Sequence, residues 1–404
     1  MKKAAELAGL LDERQAGPTM LMFISEPEAA ALATLSEMKD RPDISPGETM
    51  IVCDVGGGTA DLIAYVIDSM SPFKIDECVA GQGGLCGGIF VDQNFENLIA
   101  TKVGQKEWDN LDVFEKRRFI NQDWENGIKT QFENQDRDWP VSLPPGCQPP
   151  VSLGKRKRAL TLELTSDELL GVFSPVIDEI SNLVRGQVEA IKDKNLQAPK
   201  FIILVGGFGS SRLLYNTLSA DHPDSTILQG QGESPVCRGA AIHGATCGQV
   251  HLQPLIAVKS RLARYSYGLL YNDHWNKKKH NHQDRLWDEI TESWKAKYQT
   301  CWFLTNGYSW REKSQADLIT GELHYSAKDT PPTRLDDSVK RLCEVKWSPQ
   351  TALNWKLRHS VVTNTPYYEL SYEIRVKVDG PTITFEVVHD GTTAATGTVQ
   401  IEFE

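Results

Sequence analysis

Cys53-Asp54-Val55-Gly56-Gly57-Gly58-Thr59-Ala60-Asp61-Leu62 decides how the rest of this chain is read. An apolar run, Met50-Ile51-Val52-Cys53, leads into it, and another, Leu62-Ile63-Ala64-Tyr65-Val66-Ile67, leads out. Both runs are short, apolar and bounded by glycine, which predicts two strands joined by a tight turn. Three consecutive glycines leave no Cβ to hold a ligand off the backbone, and they permit positive φ. Successive N–H groups of such a turn can converge on an anion, most often a phosphate. Asp54 enters the turn and Asp61 leaves it. A carboxylate beside a phosphate is repelled unless a cation lies between, so Asp54 points to Mg²⁺ held through water. Taken alone, the same residues serve equally as a glycine-rich β-hairpin with acidic ends.

The chain has 404 residues, enough for two or three domains with a sizeable core. Hydrophobic content of 40% and charged content of 24% are those of an ordinary globular protein. A net charge of -11 argues against a nucleic-acid surface, which needs a basic face. The 8 cysteines show no CxxC pair, and Cys53, Cys237 and Cys247 stand among apolar residues. That pattern predicts reduced, buried thiols in a cytoplasmic protein rather than a disulfide frame or a zinc site. No apolar run approaches membrane-spanning length, and residues 1–6 lack the apolar core of a secretory signal.

Upstream of the turn, 4–11 reads as a helix end and Thr19-Met20-Leu21-Met22-Phe23-Ile24 as a buried strand. Ser25-Glu26-Pro27-Glu28-Ala29-Ala30-Ala31 then starts a helix with a smooth alanine face, proline suiting its first turn. Glu26 stands at a strand end, where α/β folds place ligand-handling residues. Taken by itself, it reads first as an acid complementing the helix dipole.

Downstream, Gly81-Gln82-Gly83-Gly84-Leu85-Cys86-Gly87-Gly88 is a second glycine cluster before a helix over 91–103. A charged helical stretch over 111–132 puts Glu125 and Lys129 at i,i+4. Thr165-Ser166-Asp167-Glu168 has the form of a capping box, and Pro175 should kink the helix it opens or start a second one. Phe201-Ile202-Ile203-Leu204-Val205 reads as a central strand ending in Gly206-Gly207-Phe208-Gly209, another anion- or nucleotide-binding turn. A second small-residue helix follows, Ser234-Pro235 to Gly239-Ala240-Ala241. Its low helix propensity implies compensation by close packing. In the last third, His274, His280 and His282 read as a solvated loop with metal binding as the alternative. Alternating apolar residues around Asp379-Gly380 predict a hairpin in a β-rich C-terminal unit.

Taken in order, the 26–38 helix, the Asp54–Asp61 turn, Val205-Gly206-Gly207 and the 234–245 helix resemble the nucleotide-binding domain of the heat-shock 70 family. The likeness is to divergent fungal and animal members of this branch of the actin-like ATPases, and it covers about 1–250. It implies an α/β, actin-like ATPase (ribonuclease H-like) two-lobe fold with an incomplete first lobe, plus the β-rich unit. The implied division is 1–47 as a remnant of lobe I, 48–232 as lobe II with an outer subdomain over about 89–160, 233–250 as a hinge helix, and 251–404 as the β-rich region.

The implied ligands are ATP and Mg²⁺. Glu26 would help position attacking water. Asp54, Gly56, Gly57, Gly58 and Thr59 would hold the phosphates and, through water, the metal. Gly87 and Gly88 would lie near phosphate and ribose, Glu125 and Lys129 beside ribose and adenine, and Gly206 and Gly207 along the adenosine.

The resemblance also calls for a first Asp-x-Gly-Thr turn and a lysine after it, and neither is found. Losing three charge-assisted bonds at roughly 1.5–3 kcal/mol each weakens binding by about three orders of magnitude. Hydrolysis, which depends on positioned donors, suffers at least as much. The expectation is therefore a chaperone-related, ATP-binding protein with weak or absent hydrolysis, whose small-residue helices are partly uncovered and whose partners are nucleotide and client or co-chaperone protein. A sugar-type kinase and a non-nucleotide interaction module are the alternatives.

Overall fold

The computed structural model describes residues 2–15, 17, 19, 21–38, 41, 43–147, 161–229, 235–247, 256–289, 291–304, 309–310, 314–316, 322–344, 356–360, 364, 366–369, 373–379, 382–389 and 392–400. Two compact units divide the chain, one of residues 26–257 and one of 1–25 with 258–404.

The first unit is built on the predicted hairpin. Strand β1 (Thr49–Val55) pairs antiparallel with β2 (Ala60–Met70), with Asp54 opposite Asp61 and Val55 opposite Ala60. β2 continues antiparallel into β3 (Phe73–Gly84). β4 (Trp139–Ser142) and β5 (Thr161–Leu164) form a separate antiparallel pair. On its other side β1 pairs parallel with β6 (Phe201–Val205), which pairs parallel with β7 (Thr226–Gln229). All seven residues of β1 and all five of β6 are buried, so both run through the sheet centre with two covered faces, as parallel pairing requires.

The pleat sends Ile51, Cys53 and Val55 into one core, shared with Leu62, Ala64, Ile202 and Leu204. Helices α2 (Gly88–Val103) and α4 (Ser166–Asp193) complete it, through Phe95 and Ile99 and through Phe173, Ile180 and Val184. Helix α1 (Glu26–Met38) lies against β1 and β2, and α6 (Pro235–Cys247) packs on α1. Between α2 and β4, helix α3 (Val113–Phe119) runs into a π-helical stretch, Ile120–Ile128, and a last α turn, Lys129–Gln131. Trp124 on that stretch is fully buried, its ring 4.0 Å from Phe95 and nearly parallel to it. Helix α5 (Arg212–Asp221) follows β6.

In the second unit a sheet runs in the order Arg285–Asp288, Ser293–Leu304, Ser266–His274, Glu322–Ser326, Lys340–Glu344. A second sheet joins Ser314–Ala316, Glu373–Asp379, Thr382–His389 and Thr392–Gln400, and Asp379 pairs with Thr382 as the hairpin reading requires. No helix among the described residues is long and apolar enough to cross a membrane.

Several expectations are corrected. Leu21, Met22, Phe23 and Ile24 form no strand, and Leu21 and Met22 are exposed; apolar character does not make a strand without a neighbour to pair with. α4 continues through Pro175, so no second helix starts there. α1 is buried continuously from Pro27 to Leu35, so it is not uncovered, whereas α6 does expose Ala240 and Ala241. Cys237 is exposed, because α6 turns Pro235 and Gly239 inward and Cys237 and Arg238 outward. Cys53 is the buried thiol expected, and Cys86, not singled out in the sequence, is buried too; desolvation raises both pKa values, Cys86 to about 11. The Cys247 side chain lies outside the described residues. His280 is buried, its Nδ1 accepting from the Asn276 amide at 3.1 Å and its Nε2 lying 3.3 Å from Asp273. That histidine stretch is thus a folded turn, and no group of three or more potential ligands among the described residues could hold a metal.

Candidate nucleotide cleft

The ends of β1 and β6 and the start of α2 meet at one cleft of about 410 Å³. Gly56, Gly57, Gly88, Ile89, Asp92, Glu125, Lys129, Thr130, Gly207, Phe208, Ser210 and Ser211 line it. Six of the residues singled out in the sequence, Gly56, Gly57, Gly88, Glu125, Lys129 and Gly207, therefore share one concavity.

The glycine turn is fixed from behind. Gly87, Gly88 and Ile89 donate their amides to the carbonyls of Gly58, Gly56 and Gly57 at 3.2, 3.0 and 2.8 Å. The start of α2 thus spends its free N–H groups on the turn, which a helix N-terminus must satisfy somehow. A Cβ on Gly87 would stand 2.5 Å from Gly57 backbone, so glycine there is a packing requirement. Gly57 and Gly58 differ: a Cβ on either meets nothing within 4 Å, and neither has a left-handed φ. The positive φ allowed for this turn falls instead on Gly206, at +83°. A Cβ on Gly206 would lie 2.5 Å from Asp54 Oδ1 and from the Val55 carbonyl. The Gly57, Gly58 and Thr59 amides donate to no acceptor among the described residues, and all three residues are exposed. Thr59 closes the turn outside the lining set.

Asp54 stands behind the turn, buried and on the β1 face opposite the main core. Burial pushes its pKa up to about 6, and the charges of Glu26 and Asp61 push the same way. Glu26, the exposed first residue of α1, is thereby placed electrostatically beside Asp54 rather than on the cleft lining. These carboxylates form no ready-made chelating cage. They fit Mg²⁺ held through water and ligand oxygens, because a hard cation relieves the charge that Asp54 carries at neutral pH.

At the start of α2, Lys129 Nζ lies 2.7 Å from Glu125 Oε1 and 2.5 Å from Asp92 Oδ1. It reaches over Gly88, where a Cβ would stand 3.6 Å from Nζ and 3.3 Å from Phe208 Cβ. The sequence reading missed Asp92 and Thr130, and it named Ile89, Phe208, Ser210 and Ser211 only as members of glycine-rich stretches. Asp92 was within reach, one turn beyond Gly88 on a predicted helix.

A mixed α/β sheet with parallel and antiparallel pairs and a cleft at its glycine turns is compatible with an actin-like ATPase fold. Among curated proteins, the chain is similar to heat shock 70 kDa protein 12A of Homo sapiens and of Mus musculus, 24% identical over 254 residues in each. Each match covers 56% of this chain, and the chain spans only 35% of the length of these relatives. No protein-family model matches. The relationship supported is a distant one, to Hsp70-like proteins.

Proposed function

We propose that this chain is an Hsp70-like protein that binds ATP or ADP with Mg²⁺ in the cleft and hydrolyses it weakly or not at all. The observation that carries the reading is the pair Gly57 and Gly58. Neither conformation nor packing calls for glycine there, and the exposed amides of 57–59 have no protein acceptor among the described residues. Close approach of a ligand to the backbone supplies the missing reason. The turn amides would take the triphosphate, and Asp54 with Thr59 would hold Mg²⁺ through water. Bound Mg²⁺ neutralises phosphate charge. Gly206 and Gly207 face the nucleoside, and Glu125 and Lys129 hold its sugar end. Glu26 orients water. Weak hydrolysis is expected because, among the described residues at the cleft, the exposed unsatisfied amides of 57–59 make one donor set, where the resemblance calls for two.

On this reading 48–232 is lobe II, with its outer subdomain over about 89–160. Residues 1–47 belong to lobe I, and 233–250 form a hinge helix. The β-rich region engages client or partner protein, in the cytoplasm, by analogy with the larger family.

Calorimetric titration of the full chain with MgATP and MgADP tests the nucleotide. Gly57→Ala is expected to weaken binding about tenfold or more, while its stability stays within about 0.5 kcal/mol of wild type. No heat of binding in the wild-type chain, or phosphoryl transfer to a sugar, overturns the proposal.

A further inference from the structure

The cleft holds one ion network that the sequence motifs do not explain. Two carboxylates flank Lys129, and they are not equivalent. Glu125 sits four residues earlier on the same helix, with its side chain 40% exposed. Asp92 comes from α2, with its side chain 21% exposed, and its Oδ1 also accepts the Trp124 indole N–H at 2.7 Å. Trp124 is fully buried and packed between Phe95 and Phe173. A buried indole N–H needs an acceptor, so Asp92 is held by the core while Glu125 is free to turn. Lys129 therefore takes its position from Asp92.

Asp92 also lies on the helix whose first amides bind the glycine turn, through Gly88 to Gly56 and Ile89 to Gly57. One rigid element thus carries both the clamp on the turn and the anchor for the cation 3.6 Å from the Cβ position of Gly88. The π-helical winding of Ile120–Ile128 supplies the partners: Trp124 faces the core and Lys129, just beyond it, faces the cleft. Such winding recurs at functional sites.

We propose that Asp92 is a positioning residue for the cleft: it fixes the ammonium of Lys129 over Gly88, at the sugar end of the ligand in the reading above, and so sets affinity for the nucleoside part rather than for the phosphates. The inference rests on the nucleotide reading above. Asp92 does not touch the reacting atoms. It acts through Lys129, and Glu125 is left to accept from ligand hydroxyls.

The test is a titration of the full chain with MgATP and, separately, with magnesium tripolyphosphate, which lacks the nucleoside. Asp92→Asn keeps an oxygen for Trp124 and removes the charge. It is expected to weaken MgATP binding about tenfold, the scale of one charge-assisted bond, and to leave tripolyphosphate binding within about twofold. Lys129→Gln should do the same. The double variant should be no weaker than Lys129→Gln alone, because residues in one network are not additive. If Asp92→Asn does not fold, Asp92→Glu, which keeps the charge and moves it by one methylene, is expected to show the same selective loss. Wild-type MgATP affinity in the folded variant, equal loss of both ligands, or additive losses in the double variant overturns the role of Asp92 alone. Absence of MgATP binding in the wild-type chain overturns the nucleotide reading and this inference with it.

Discussion

Asp54→Asn is expected to make the ligand-free protein more stable at pH 7.5 by up to about 3 kcal/mol and to weaken Mg²⁺-dependent nucleotide binding at the same time. Asp54 is buried, and its pKa rises from the ordinary 3.8 to about 6, first through desolvation and then through Glu26 and Asp61. The folded protein therefore holds a proton that the unfolded chain releases between about pH 4 and pH 6. Folding stability falls as pH rises through that window, and above it the folded state carries an ionised, poorly solvated carboxylate. Asparagine removes the charge and keeps the shape. At pH 4, where the folded state holds the proton and the unfolded chain still holds nearly half of it, the two proteins should unfold almost alike. At pH 7.5 the variant should be ahead. Saturating MgATP should reverse the order, because a cation beside Asp54 stabilises only the charged form. Urea unfolding at pH 4, 5, 6 and 7.5, with and without MgATP, reads all of this. A variant that is less stable at pH 7.5, or that tracks wild type across the window, removes Asp54 from the metal-linked role. The physical content is a site kept electrostatically uncomfortable until its ligand arrives, as stability–function trade-offs describe.

The hairpin and its turn were legible because two apolar runs bounded by glycine leave few other options, and β1 pairs with β2 with Asp54 opposite Asp61. β6 was legible for the same reason, and its parallel place beside β1 brings Gly207 to the cleft. The capping box of Thr165 and Glu168 is local chemistry and forms as read. What escaped the sequence depends on partners distant along the chain. Asp92 looks like any helix-surface acid until Trp124 and Lys129 fold against it. The π-helical stretch spaces its buried residues Phe119, Trp124 and Ile128 five and four apart, too short a departure from α-helical spacing to read from one sequence. Leu21, Met22, Phe23 and Ile24 have strand composition but form no ladder. The turn glycines divide the two reasons given for them. Positive φ is not used at Gly57 or Gly58, since the left-handed residue is Gly206, whereas both glycines leave the backbone open to approach.

Gly239→Ala is expected to cost about 3 kcal/mol or more of stability, whereas Gly244→Ala in the same helix should be neutral or gain up to about 1 kcal/mol. A Cβ on Gly239 would fall 1.6 Å from the Ala29 carbonyl oxygen and 2.4 Å from its carbon. Those are main-chain atoms of α1, so no side chain can rotate away to make room. Relief requires α1 and α6 to separate. α1 is buried from Pro27 to Leu35 and lies against β1 and β2, so separation opens gaps along the sheet as well. A Cβ on Gly244 meets nothing within 4 Å, and alanine there simply restores helix propensity lost to glycine. The two substitutions change the same atoms in the same helix, which isolates the crossing from every compositional effect. Urea midpoints of the two variants against wild type decide it, and Gly239→Ala unfolding with wild type would mean that the helices do not approach as described. Function should follow stability here, because Glu26 opens α1 beside Asp54 and shifts whenever α1 does. A Gly239→Ala protein that still folds should therefore show an Asp54 titration displaced downward, as the Glu26 charge moves away from it.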